Sequence, residues 1–435
     1  MKRAFALLLS LFLFAGLLTG CQSQDEGESG GAGKKSVTLK AVTQFGGDDA
    51  NTTLFNTIIQ EWTQKTGHKI TNQSAKADNT WKSSVIADFN TGSEPDVLFF
   101  YNGAVMTDIQ DKIVDVEEIR KEYPDYAKNI RDSVMMAENN LNKDGKPMCV
   151  PIKGYAEGIF CNKNVFEEAG AALPTDWASL MDAIAKIKAK GKIPLSVSLG
   201  GEPHYYFDHS ILAVGGAEAM NVNPRSESEI PDSWKQGLSL IKVLYDAGAF
   251  PKDTASIDGD GARAYFLGGD AAMYLDGSWF SVPADGTKDA KVTQKDVEVI
   301  PFPSYTTSKN EKGTILSGFS SGWYITRKCW DNKDKRQAAI DFINYNITDE
   351  AIDRYVEASG GFTASDTANI NESKQTPQQK QFTKLLKEAP STPMVAQDNL
   401  EKAAFEVFLR NAMAIAKGDK SPDAVLKEMV SLNKK

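Results

Sequence analysis

The stretch Ala262–Phe280 places the tightest constraint on how this chain can fold. It begins like the end of a helix, and the two glycines at 268 and 269 supply the positive φ that ends one. Ala271–Leu275 is then a short apolar run with a turn at each side, which is typical of a buried strand. After the strand we expect Ser278 to cap a following helix and Trp279 to offer a flat apolar face.

The same order of strand and helix recurs along the chain. Val37–Ala41 predicts a strand, and Phe55, Ile58 and Trp62 have the spacing of a helix buried on one side. The run Glu94–Asn102 predicts another strand. This alternation indicates an α/β fold whose sheets carry helices on their faces, and in such sheets ligands bind at the carboxyl ends of the strands.

Several motifs carry a family resemblance. The pattern Phe266-x-x-Gly269-x-Ala271-Ala272-Met273-x-x-x-Gly277-x-Trp279 resembles the signature of the extracellular solute-binding proteins of ABC transporters. The nearest group is family 1, the oligosaccharide binders related to maltose-binding protein. Other stretches recur in the family's order, namely Pro95–Val97, Gly145–Phe166, Gly318–Ile325 and Thr348–Glu350. Gly360–Thr363 lies where many members have a Gly-x-x-Pro turn, and here the proline is missing.

The resemblance implies an α/β fold of two lobes, the periplasmic-binding-protein-like fold of type II, with a ligand cleft between the lobes and hinge crossovers. It places the first crossover near Val150–Tyr155 and the return near Val297–Pro303. The domains expected are a signal peptide (1–20), a lipidated cysteine and tether (21–36), an N-terminal lobe (37–148 with 303–355) and a C-terminal lobe (149–302 with 356–435).

The resemblance also implies which residues contact the ligand. Sugars have polar edges and apolar faces, so their sites combine aromatic platforms with carboxylates, amides and hydroxyls. The expected ligand-binding residues are Phe45, Asp48, Asp49, Trp81, Tyr101, Asn102, Tyr155, Glu157, Tyr206, Asp276, Ser278, Trp279, Gly318, Phe319 and Trp323. For each aromatic residue except Trp279, a place in the core is an equal alternative. Sequence does not decide whether Tyr205 or Tyr206 faces the cleft.

The N-terminal residues predict that the protein is exported from the cytoplasm. Lys2 and Arg3 precede an apolar run too short to span a bilayer, which is typical of an export signal. Leu18-Thr19-Gly20-Cys21 is similar to a bacterial lipobox, so Cys21 would be lipidated and hold the protein on the outer face of the cell membrane. A plain signal with a later cleavage site is the alternative. The polar, glycine-containing residues 22–36 fit a flexible tether.

Charge and motifs argue against several other classes. The formal net charge of −9 disfavours nucleic acids and anionic membrane surfaces as partners. The three histidines lack zinc-binding spacing, and neither a Gly-x-Ser-x-Gly elbow nor a phosphate-binding loop occurs in the sequence. We therefore expect no metal, no cofactor and no catalysis, although a spatial pair of acids acting on glycosides would be invisible here. Cys149 and Cys161 are either bonded or two free buried thiols.

The function these features predict is that of a lipid-anchored receptor, expected to be a monomer, that captures a sugar and delivers it to an ABC permease with its ATPase. Alternatives are the same fold binding a polyamine, iron or phosphate, an extracellular glycan-processing enzyme, or a surface lipoprotein that senses sugar without transport.

Overall fold

The computed structural model describes residues 36–47, 49–305 and 311–433. Residues 37–435 form one compact unit. In the described part, the strands are β1 (Thr38–Thr43), β2 (Lys69–Asn72), β3 (Val97–Tyr101), β4 (Lys153–Asn162), β5 (Ile193–Ser196), β6 (Ala271–Gly277), β7 (Val297–Ile300), β8 (Ser317–Gly318), β9 (Ser321–Ile325) and β10 (Phe362–Thr363).

The helices are α1 (Thr52–Thr66), α2 (Asn79–Thr91), α3 (Val116–Glu122), α4 (Asp132–Met135), α5 (Lys163–Ala169), α6 (Trp177–Ala189), α7 (His204–Met220), α8 (Asp232–Ala247), α9 (Gly259–Leu267), α10 (Arg327–Asp331), α11 (Lys333–Asn346), α12 (Asp349–Ser359), α13 (Pro377–Glu388), α14 (Lys402–Lys417) and α15 (Pro422–Leu432). Short 3-10 helices at Gly103–Met106 and Ala396–Asn399 matter for the site.

The first lobe is built on the sheet β2-β1-β3-β9, in which β9 is antiparallel to β3 and the other pairs are parallel. Helix α1 buries Phe55, Ile58 and Trp62 on one face of this sheet, and Gly67 ends the helix with φ 75°. Helix α2 covers the opposite face through Trp81 and Phe89. Burial on both faces explains why β3 reads as a continuous apolar run.

The second lobe is built on the sheet β10-β4-β6-β5, with β7 and β8 also paired to β4. On one side of this sheet α6, α7, α8 and α14 share one core with the strands, and on the other side α9 and α13 pack against it. The ten-residue strand β4 pairs with four other strands and so runs the length of this lobe.

The chain passes between the lobes at three places that lie side by side. The first passage leads into β4, the second joins β8 to β9, and the third is at β10. Val150 exchanges two backbone hydrogen bonds with Trp323, and the amide of Ala364 donates to the carbonyl of Ile152 at 3.0 Å. Strands β8 and β10 both pair with the beginning of β4.

The return passage lies further along the chain than the predicted Val297–Pro303. Val297–Ile300 instead forms β7, which pairs with the far end of β4 inside the second lobe. Residues after it still contact that lobe, since Tyr305 donates to the carbonyl of Ala213. The prolines at 301 and 303 follow a strand at the edge of the sheet, where a missing amide donor is tolerated.

The stretch Ala262–Phe280 folds as predicted up to its last residues. Helix α9 ends at Leu267, Gly269 has φ 75°, and β6 is fully buried. The predicted helix after Ser278 is wrong, because a turn follows the strand. The amide of Ser278 donates to the carbonyl of Ala156, so this residue is tied to β4 and does not cap a helix.

The structure shows the state of the cysteines and whether any described helix could span a membrane. Cys149, Cys161 and Cys329 are free and buried within the described ranges, which resolves the open choice in favour of free thiols. Of the helices the structure describes, none is long and apolar enough to cross a membrane. The predicted signal and Cys21 lie outside the described residues.

Candidate functional site

The candidate site lies where the ends of β4 and β6 meet the first lobe. These strands run antiparallel, with Glu157 opposite Gly277 and Gly158 opposite Asp276. The ring of Tyr155 contacts that of Trp279 edge-on at a centroid distance of 5.9 Å. Trp279 is half-buried, whereas its neighbours Tyr155 and Asp276 are almost fully buried. The indole is therefore the large aromatic surface that this end of the sheet exposes.

Gly277 determines where the indole lies. A Cβ atom at this position would come within 2.1 Å of the Trp279 ring, so no other residue fits without moving the ring. Ser278 packs its hydroxyl 3.4 Å from the amide of Ala156. The turn after β6 is thus held at both sides, which keeps the aromatic face in one orientation.

Asp276 is the polar centre beside the indole. Its Oδ1 accepts hydrogen bonds from the hydroxyl of Tyr205 at 3.1 Å and from the amide of Gly277 at 2.7 Å. Burial raises the pKa of Asp276, and Arg263, whose Nη2 lies 3.8 Å from Oδ2, opposes that rise. Tyr205 is therefore the member of its pair that faces the site. Tyr206 is 1% exposed and packs against Phe250.

The first lobe supplies the opposite wall. The Nζ atom of Lys82 lies 4.2 Å from the centre of the Tyr101 ring, a cation–π contact. Burial lowers the pKa of Lys82, while Asp398 and Glu202 of the second lobe raise it in opposition. Glu202 and Asp398 also act on Tyr101, together with Asp49 of its own lobe. Charges of the two lobes thus act on each other across the cleft.

A group of hydrogen bonds lies next to Tyr101, where the first lobe meets the passage between the lobes. The side-chain amide of Asn102 donates to the carbonyl of Phe319 at 3.1 Å, and Asn139 donates both to Asn102 and to that same carbonyl. Phe319 packs edge-on against Phe362 at 5.0 Å. Asn102 and Phe319 therefore sit at the passage between the lobes, where they link β3 to the segment before β9.

An ion pair bridges the rim of the cleft. Lys76 of the first lobe lies 2.5 Å from Asp260 at the start of α9. Both side chains are about half exposed, so the pair contributes little, about 0.2–1 kcal/mol.

We expect Asp260→Asn to weaken ligand affinity by no more than about fivefold, because a lost surface pair changes the closed state by less than about 1 kcal/mol. Titration calorimetry at low and high salt checks this, and the effect should shrink as salt rises. Asp182→Asn, which removes an exposed pair with Lys186 on α6, is the matched control. A loss of a hundredfold would show that this pair does far more than surface pairs do.

Other predicted site residues lie in the cores. Phe45 and Trp323 are each 1% exposed and contact one another among Phe55, Phe99 and Tyr355 in the first lobe. Trp81 packs its ring on Phe100 at 5.2 Å. Gly318 lies in β8, where its Cβ position meets Met394. Asp48 lies outside the described residues.

Sequence reasoning did not single out several titratable groups of the cleft. Lys82, Glu202, His204 and Asp398 interact electrostatically there with one another or with the residues above. Burial raises the pKa of Glu202 to about 7 and lowers that of His204 to about 3. The only signal was the loop Gly200–Tyr206, whose glycines and aromatics marked a turn. Asp398 comes from a tail segment without a motif.

Asp398 makes the stability of the protein depend on pH. Burial raises its pKa from 3.8 to about 7, and Lys82 only partly opposes this. Between these values the folded state holds a proton that the unfolded state has released, so this group's contribution to stability is lost as the pH rises from about 4 to about 7.

We therefore expect Asp398→Asn to gain stability relative to the wild type as pH rises through this window, as measured by urea unfolding at several pH values. The buried histidines act in the opposite direction in both proteins and cancel in the difference. A difference that is constant with pH would contradict the expectation.

Known proteins resemble this chain over most of its length. A multiple sugar-binding protein of Streptococcus mutans is 26% identical over 249 residues, covering 55% of this chain and 56% of that protein. A putative binding protein of Brucella abortus is 25% identical over 306 residues, 66% of each chain. The match thus spans between about half and two thirds of these relatives' lengths.

Solved structures match nearly the whole fold. One from work on xylan utilisation by Caldanaerobius polysaccharolyticus has a TM-score of 0.76 at 19% identity, covering 91% of this chain and 99% of that one. A chitin oligosaccharide binding protein has a TM-score of 0.76 at 19% identity, covering 92% and 98%. A binding protein in complex with raffinose has a TM-score of 0.68 at 18% identity, covering 92% and 99%.

These structural matches confirm the predicted two-lobed α/β fold. Residues 48–352 match the sequence model that describes the bacterial extracellular solute-binding proteins, which is well over half of the chain. The resemblance inferred from the motifs is confirmed: the chain belongs to the bacterial extracellular solute-binding protein family.

Proposed function

We propose that this chain captures a sugar, most simply a short oligosaccharide, in the cleft between its lobes. The observation that carries the proposal is the partly exposed Trp279, held over Gly277 beside the buried carboxyl group of Asp276. A sugar ring stacks its apolar face on such a platform while its hydroxyls donate to neighbouring carboxylates. Tyr101 and Lys82 on the facing lobe complete an enclosure that favours a closed state around the ligand.

The names of related proteins support the same ligand class. They refer to multiple sugars, chitin oligosaccharides and raffinose. We carry that chemistry to this chain as a proposal and leave the identity of the sugar to experiment. The protein binds its ligand without turning it over, and ligand closure creates the surface that an ABC permease recognises.

The test is thermal unfolding of a version beginning at Ser36, which keeps the whole compact unit, against a panel of mono- and oligosaccharides. A ligand that binds only the folded state stabilises it by about 2.7 kcal/mol at a hundredfold excess over its dissociation constant. We expect a saturable rise in the midpoint with at least one glycan. If only phosphate or iron raised the midpoint, the result would contradict a sugar as the ligand and leave the assignment of the fold unchanged.

We further propose that Cys21 is lipidated and anchors the exported protein to the outer face of the cell membrane, with residues 22–36 as a tether. Exported Cys21→Ser protein should appear in the medium, whereas the unchanged protein should stay with the membrane and incorporate labelled palmitate. Release of both proteins in equal amounts would contradict the anchor and leave sugar binding untouched.

A further inference from the structure

Three acidic side chains lie beneath the cleft, and we call them the acidic floor: Glu157 on β4, Asp208 on α7 and Asp398 in the 3-10 helix Ala396–Asn399. Glu157 is 5% exposed and Asp208 is 1% exposed. Oδ1 of Asp208 accepts from the amide of Gln397 at 3.1 Å, which joins α7 to the segment carrying Asp398. Glu157 interacts electrostatically with both other members, so the three side chains form one cluster.

Each member of the acidic floor has one buried oxygen with no hydrogen-bond donor among the described residues: Glu157 Oε2, Asp208 Oδ2 and Asp398 Oδ2. Buried carboxyl oxygens nearly always have partners, because leaving them without one costs free energy. Within a single lobe, three such oxygens in one cluster therefore point to a bound group that donates hydrogen bonds.

Among the described residues, the charged groups that act on Glu157 and Asp208 are other carboxyl groups. Nδ1 of His209 lies 3.6 Å from Glu157 Oε2, but it is also 3.0 Å from the carbonyl of Tyr205. Burial lowers the pKa of His209 to about 4, so this ring is neutral. Lys82 is the cation that acts on Asp398, and Arg263 is occupied by Asp276 and Asp260. Further carboxyl groups, Asp276 and Glu202, add negative charge at the border.

A metal ion is a poor match for this geometry. Over the described ranges, the His, Cys, Asp and Glu side chains form no group of three placed to hold a metal ion. The unpartnered oxygens of the acidic floor instead suit a group of an organic ligand that donates several hydrogen bonds. Ionised carboxylates only accept hydrogen bonds, and a primary ammonium carries three donors with a positive charge.

We propose that the acidic floor binds a primary ammonium group of the ligand, so that the sugar captured here is an amino sugar or an oligosaccharide containing one. The assignment rests on the proposed function for its sugar part alone. Trp279 stacks on the apolar face of the sugar ring, and the acidic floor binds the ammonium substituent of that sugar. Because burial raises the pKa of Glu157 and Asp208, an arriving ammonium ionises them, and binding releases protons to the solvent.

The test compares matched sugars that differ in one substituent. Di- and trisaccharides of the chitosan type carry an amino group, those of the cellulose type carry a hydroxyl group at the same carbon, and those of the chitin type carry an acetamido group there. Glucosamine, glucose and N-acetylglucosamine are the corresponding monosaccharides. Galactosamine and galactose extend the comparison, and spermidine is the ammonium probe without a sugar. Calorimetry on the version beginning at Ser36, in buffers of different ionisation enthalpy, reports both affinity and proton release.

We expect an amino sugar to bind at least tenfold more tightly than its hydroxyl and acetamido partners, with net proton release. Glu157→Gln and Asp398→Asn should each abolish most of this preference, whereas Asp182→Asn, an exposed carboxylate of the same lobe, should keep it. Thermal midpoints of the variants verify folding, and proton release by the unchanged protein tests the proposal without any variant.

The alternative outcomes separate the two proposals. A hydroxyl or acetamido sugar that binds as well as its amino partner overturns the ammonium assignment and leaves sugar capture standing. Binding of spermidine without any sugar overturns sugar capture and supports the ammonium site. If no probe binds, the ammonium assignment fails, and the wider glycan panel decides sugar capture. An amino preference that survives in Glu157→Gln and Asp398→Asn overturns the role of the acidic floor.

Discussion

Replacing Trp279 with alanine should weaken ligand binding by about 30-fold or more. Truncating an aromatic side chain at the centre of a binding site costs about 2 kcal/mol or more, which corresponds to that factor. The indole is half-buried and touches Tyr155, so its loss removes the exposed platform of the cleft while most of the lobe's core remains. Calorimetry with the glycan that gives the largest thermal shift measures the effect.

Trp279→Phe is the matched control, because it keeps a flat aromatic face and should retain most of the affinity. If Trp279→Ala bound the same glycan with unchanged affinity, the platform would have no part in recognition and the proposed site would have to move.

Trp323→Ala should lower the free energy of unfolding by about 3–5 kcal/mol, the usual cost of removing a large buried aromatic side chain. Trp323 is 1% exposed, and its ring contacts those of Phe45, Phe55 and Phe99. The cavity would lie between β9 and α1, in the core of the first lobe. Urea unfolding at constant temperature measures the change.

Trp279→Ala under the same conditions is the natural comparison and should cost much less stability. The two tryptophans thus separate binding from folding. A Trp323→Ala protein of unchanged stability that failed to bind sugar would place Trp323 in the cleft, against the packing described here.

Most of the fold was predictable because it depends on local patterns. The apolar run of β6, the helical spacing of α1 and the glycines that end helices are all visible in the sequence. The turn after β6 was mistaken for a helix start, because Ser278 has the chemistry of a cap. What decides its conformation is a hydrogen bond to Ala156, more than a hundred residues away in sequence.

The site was predictable only in part, because side-chain direction depends on tertiary packing. Phe45 and Trp279 both follow strands, yet the ring of Phe45 packs into the core and that of Trp279 remains partly exposed. Tyr205 and Tyr206 are adjacent and point to different surroundings. The acidic floor draws its members from β4, α7 and a late loop, and no spacing in the sequence signals that they meet.

The three side-by-side passages at the start of β4 have a consequence for how the protein can move. Because backbone hydrogen bonds join the three passages, they form a narrow ribbon. Such a ribbon can bend about one axis, but it resists sliding and twisting of one lobe against the other. The lobes should then open and close like a book, with a single degree of freedom. One pair of spectroscopic labels, placed on opposite rims, would be enough to follow the whole motion.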